Sequence, residues 1–138
     1  MAYELVWEPE GVLVRFTAQL PAREFISSAR QMQGDSRFDE ARYVINDLTG
    51  ISAHTITEEA LVELSALQYG AYASHPNCRI VFVTTDDELA RLIKGVLTAP
   101  QMASYQVEVF ATVEAARDWL DEQPQLHLMS NVMGFRIR

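Results

Sequence analysis

Arg79-Ile80-Val81-Phe82-Val83-Thr84-Thr85 places four apolar residues in succession, three of them β-branched. A short run of that kind suits a central strand with both faces covered. Its flanks suggest what covers it. Upstream, Thr57 precedes Glu58 and Glu59, a hydroxyl cap followed by carboxylates that suit a helix N-terminus. Leu61, Leu64, Leu67, Ala71 and Tyr72 then give one apolar stripe, closed by the turn His75-Pro76-Asn77. Downstream, Asp86 and Asp87 start another helix, with Leu89, Leu92, Ile93, Val96 and Leu97 at helical spacing.

The same alternation extends both ways. Arg42–Asp47 (RYVIND) predicts a strand, and Leu48–Ile56 a loop after it. Gln106–Phe110 predicts the last strand. Thr112 caps a fourth helix, which turns Val113, Ala116 and Leu120 inward with Trp119 beside them. Near the start, Tyr3–Trp7 and Val12–Thr17 alternate apolar and polar residues around Glu8-Pro9-Glu10-Gly11, a hairpin pattern. Pro21 opens the first helix, with Phe25, Ile26, Ala29 and Met32 on its apolar face and Gly34 as its stop, before a polar loop, Asp35–Glu40. The order is ββαβαβαβα, an α/β fold with a mixed five-stranded sheet and four helices. Strands separated by helices imply parallel pairing, and the hairpin adds one antiparallel pair.

Residues 124–138, PQLHLMSNVMGFRIR, break this rhythm at Pro124. Seven large apolar residues there predict a segment that packs on the 1–123 domain or on a partner subunit. That segment and the hairpin edge together suggest a homodimer.

At 138 residues, 49% of them hydrophobic and 22% charged, the chain fits one globular domain. Cys78 is the only cysteine, so neither an intrachain disulfide nor a thiolate zinc site can form. No apolar run approaches the roughly 20 residues of a membrane span, and the acidic, alternating start MAYELVWEPE does not read as a signal peptide. The expected compartment is a bacterial-type cytoplasm. Residues 1–123 hold nine Lys/Arg against all nineteen Asp/Glu, a net charge of −10, while the tail adds Arg136 and Arg138. An acidic body argues against nucleic acid and anionic membrane surfaces as partners.

Val44-Ile45-Asn46-Asp47-Leu48-Thr49-Gly50-Ile51-Ser52 resembles the strand and Asp-Leu-Ser-Gly-Val-Ser segment of the sulfate-transporter and anti-sigma-factor-antagonist (STAS) domain. The opening, YELVWEPEGVLVRFTAQLPAREFISSAR, with RYVINDLTGI looks like the bacterial SpoIIAA-like group, which is also described as akin to CRAL-TRIO-type lipid-binding domains. The resemblance covers the chain to about residue 123. It implies a SpoIIAA-like fold and a non-enzymatic regulatory module with a protein partner. Its contact surface would be the segment carrying Asp47, Thr49, Gly50, Ser52, His54, Thr55 and Thr57, with the exposed face of the second helix. Antagonists of this family carry Asp-Ser-Ser-Gly at the start of that helix, and a partner kinase phosphorylates the first serine. The corresponding stretch here is Thr55-Ile56-Thr57-Glu58, with Ile56 at the acceptor position. The alternative is a carrier of a small molecule or lipid, motivated by the apolar third helix, the Thr98–Met102 loop and the Met-rich tail.

No catalytic residue, cofactor or metal site is predicted. His54, His75 and His127 have no metal-ligand spacing, and neither glycine-rich phosphate loops nor nucleophile motifs occur. Asp86-Asp87-Glu88 reads as a helix start rather than a Mg²⁺ site, although Asp47 could join it if the two strands were neighbours. Cys78 reads as buried and inert. Tyr69, Tyr72, Phe110, Trp119 and Phe135 read as core aromatics.

Overall fold

A computed structural model describes residues 2–99 and 104–124. The predicted tail from 125 onward, Phe135 and His127 within it, and Pro100 to Met102 of the Thr98–Met102 loop lie outside the described residues.

The sheet comprises β1 (Tyr3–Trp7), β2 (Gly11–Leu20), β3 (Tyr43–His54), β4 (Arg79–Val83) and β5 (Gln106–Phe110), in that spatial order. β1 and β2 pair antiparallel; all other neighbours are parallel. The helices are α1 (Ala22–Gln33), α2 (Glu58–Ser74), α3 (Asp87–Leu97) and α4 (Val113–Glu122). β4 is buried at all five positions, as its apolar run requires.

Strand alternation divides the interior in two. Val12, Val14, Phe16, Val44, Ile80, Phe82 and Val107 face α1, α2 and α3 in the larger core. Leu13, Ile45, Val81 and Val83 face α4 in a smaller one, with Ala116 buried and Val113, Trp119 and Leu120 packed beside it. Three of the four helix starts carry a side-chain cap, and α1 follows Pro21 without one. Thr57, Asp86 and Thr112 accept from Ala60, Leu89 and Ala115 N–H at 3.2, 3.0 and 3.0 Å.

Two segments differ from the sequence reading. Asp35–Glu40 is not plain loop: Ser36–Glu40 forms a 3-10 helix that buries Phe38 against the larger core. Leu48–His54 is not a loop either: β3 runs on to His54, leaving Thr55 and Ile56 of the expected loop, and pairs with a β2 prolonged to Leu20. The ten residues of β2 face twelve of β3. The surplus is absorbed in two register shifts, between Arg15 and Thr17 and between Ala18 and Gln19.

Candidate functional site

The prolonged β2–β3 ribbon carries the first half of the predicted contact segment. Asp47 Oδ1 accepts from the Thr49 backbone N–H at 3.0 Å and from its hydroxyl at 2.7 Å. That local bond suits the first register shift, where regular ladder pairing is interrupted. Gly50 sits within it because a Cβ there would lie 2.8 Å from the Phe16 carbonyl oxygen. Ala18, opposite Ile51, takes φ 57°, a left-handed conformation unusual for a residue with a Cβ. Thr49, Gly50 and Ser52 are exposed along the ribbon.

The second half of the segment gathers where α1 and α2 begin. Thr55 donates its N–H to the Leu20 carbonyl at 3.1 Å, and its Oγ1 accepts from Ala22 N–H at 2.9 Å. Thr57 Oγ1 caps α2. His54 Nδ1 accepts from Ile56 N–H at 3.0 Å, so in the neutral ring the proton sits on Nε2. That Nε2 lies 3.8 Å from Asp86 Oδ2, whose other oxygen caps α3. The corner therefore ties together the starts of three helices. The hydroxyl oxygens of Thr55 and Thr57 already accept backbone N–H bonds. What it offers is a rigid polar surface. Ile56 lies beneath it, 5% exposed.

Asp47 and β4 are indeed neighbours, with Asp47 opposite Val83. Among the described residues, no three His, Cys, Asp or Glu side chains come together in a way that could hold a metal ion. Burial pushes the Cys78 thiol up to about 12, which removes it as a nucleophile.

Beside the corner, α2 exposes Val62 and Tyr69, seven residues apart and so on one face. Tyr69 was expected in the core, yet it is 66% exposed. Tyr72 does pack, edge-on against Tyr105 with centroids 5.2 Å apart, and Phe110 meets Trp119 at 5.7 Å. The apolar pocket beneath α1 and α2, lined by Met32, Phe38, Gln68 and Tyr105, measures about 20 Å³. That is room for roughly one water, whereas a carrier of drug-sized ligands needs several hundred cubic ångströms.

Two features escaped the sequence reading. One is the Glu8–Tyr43–Arg117 cluster, which joins residues up to 109 positions apart. The other is the burial of Arg79, signalled only by a charge heading an otherwise apolar strand. No helix among the described residues is long and apolar enough to cross a membrane.

No family model matches the sequence, and no curated protein does. Among solved structures, the anti-sigma-factor antagonist SpoIIAA in its unphosphorylated form is similar at 14% identity and a TM-score of 0.58, over 88% of this chain and 100% of that one. An uncharacterised DUF3478-family protein with a SpoIIAA-like fold, from Shewanella loihica PV-4, is 11% identical at a TM-score of 0.49, over 86% of this chain and 92% of that one. The chain has the SpoIIAA-like fold, the mixed five-stranded sheet with four helices that the sequence predicted.

Proposed function

We propose that this protein is a non-enzymatic, cytoplasmic protein-interaction module whose docking surface joins the β3–α2 corner to the outer face of α2. The observation that carries this reading is the pairing of Val62, 43% exposed, with Tyr69, 66% exposed. They are the large hydrophobics left exposed among the described residues, and they share one helix face. An exposed aromatic anchor ringed by polar residues is the usual centre of a protein interface. At the start of the same helix, Ser52, Thr55 and Thr57 are exposed and extend the surface with polar groups.

The likeness to SpoIIAA supports this at the level of fold, and fold alone does not fix function. In this reading the surface works without a phosphoswitch. The residue at the acceptor position, Ile56, has no hydroxyl and is buried. A phosphate on Thr55 or Thr57 would break the bonds those oxygens accept from Ala22 and Ala60, and at Thr57 it would face Glu58 and Glu59.

The test is capture of a partner by the purified protein, repeated with Tyr69→Ala and Val62→Ser. A specific partner should bind the wild type and the surface control Asp118→Asn alike, and bind Tyr69→Ala at least about tenfold more weakly. If no partner is recovered, or Tyr69→Ala binds as the wild type does, the reading fails.

A further inference from the structure

At the opposite end of the strands, α4 and the first residues of β3 and β4 enclose an open cleft of about 520 Å³. Arg79 lines it and is only 9% exposed. A buried guanidinium normally has a carboxylate partner. Arg79 has none among the described residues. Its Nε donates to Gln106 Oε1 at 2.9 Å, which fixes the plane of the fork. Neither Nη group has a protein partner among the described residues, and neither is sealed from the cleft. Burial lowers the Arg79 pKa, as desolvation of a cation does.

Arg117, on the same cleft, provides the contrast. Its fork is filled by Glu8, with Nη1 and Nη2 at 3.0 and 2.8 Å from the two carboxylate oxygens. The chain therefore saturates one arginine and leaves the deeper one half-satisfied. Arg42 adds a second cation at the exposed rim, also without an ion pair among the described residues. Glu10 and Asp121 stand on that rim too. Their charge opposes polyanions and leaves room for one compact anionic group, while Leu120 offers an apolar wall.

We propose that this cleft binds a small organic carboxylate, held bidentately by the Nη groups of Arg79. The guanidinium fork matches a carboxylate with two parallel N–H···O bonds, which a lysine cannot reproduce. The site is independent of the α2 surface, so either can fail without the other.

The experiment titrates the full chain with benzoate and with benzamide, its neutral isostere, and follows the Arg79 Nε–H and Gln106 side-chain amide resonances. Benzoate should move both saturably, and benzamide should leave them in place. Arg79→Gln should abolish benzoate binding, and Arg79→Lys, which keeps the charge and is the milder change for folding, should weaken it at least about tenfold. Arg91→Gln, on the exposed face of α3, should bind as the wild type does. Equal responses to benzoate and benzamide, no saturable shift, or undiminished binding by Arg79→Lys would overturn the proposal. Inorganic phosphate binding more tightly than benzoate would overturn the assignment to a carboxylate.

Discussion

Arg117 of α4 grips Glu8 of the β1–β2 turn with both Nη groups, at 3.0 and 2.8 Å, across 109 positions of sequence. Tyr43, at the start of β3, donates its hydroxyl to the same Glu8 oxygen that Arg117 Nη1 bonds. Three elements thus meet on one carboxylate, and α4 is held over the sheet by chemistry as well as by its apolar face. The Arg117 side chain is 40% exposed, so solvent screens part of the attraction. Arg117→Met should cost about 1–2 kcal/mol, below the range for a fully buried pair. In a double-mutant cycle with Glu8→Gln, the coupling measured by urea unfolding should be about 1 kcal/mol.

The same cluster sets a pH dependence at both ends of the scale. The hydrogen bonds from Arg117 hold the Glu8 carboxyl below its ordinary value of 4.5. A lowered folded pKa gives stability that is present above that ordinary value and is lost as pH falls through the lowered one. Burial, with the bond to Glu8, pushes the Tyr43 hydroxyl from 10.0 up to about 12. A raised folded pKa gives stability that is complete below 10 and is lost as pH rises toward 12. Unfolding free energy measured between pH 9 and about 12 should therefore fall less steeply in Tyr43→Phe than in the wild type.

Ala18 takes φ 57° at the second register shift, a conformation that costs a residue with a Cβ about 1 kcal/mol. Ala18→Gly removes that cost but adds unfolded-state entropy. Ala18 is exposed, so no packing is lost. The variant should gain roughly 0.5 kcal/mol, read as a small rise in Tm. A fall in Tm would show that the surrounding ribbon relieves the strain in another way.

The opposite result is expected at Gly50. A Cβ there would meet the Phe16 carbonyl oxygen at 2.8 Å, a backbone atom that cannot swing aside. Gly50→Ala should therefore force the ribbon open and cost roughly 1–3 kcal/mol. Loss of hydrogen-exchange protection should concentrate in Thr17–Leu20 and Ile51–His54.

Both of those positions lie in the part of the fold that was hidden in the sequence. β4 was legible because burial on both faces forces a continuous apolar run, and α3 because one buried face imposes a helical period. The β3 extension carries neither signal. Thr49, Gly50, Ser52 and Ala53 are exposed, and the ribbon is held by backbone pairing to β2, which any side chain permits. Phe38 was hidden for a related reason, since one buried ring in a five-residue turn sets up no period. The candidate residues fared unevenly. Thr57 was identifiable as a cap from its carboxylate neighbours, whereas the tie from Thr55 to Ala22 spans 33 positions and depends on where β2 ends. Arg79 and Gln106 meet only because β4 and β5 pair in register.

Ile56 gives the sharpest test of the proposal that the corner works without a hydroxyl at this position. The side chain is 5% exposed and packs in the larger core. Its backbone N–H already donates to His54 Nδ1, so a serine there could not draw on that group to settle its own oxygen. Ile56→Ser would remove most of a buried aliphatic side chain and leave a hydroxyl facing apolar neighbours. The expected cost is about 2–4 kcal/mol, from the lost burial, the cavity and the desolvated oxygen together. Ile56→Val keeps the burial and should cost only about 1 kcal/mol. Chemical denaturation of the two variants separates the possibilities. If the serine variant proves as stable as the valine variant, position 56 opens to solvent more readily than its packing implies, and the reading of the corner as a surface without a phosphoswitch loses its structural support.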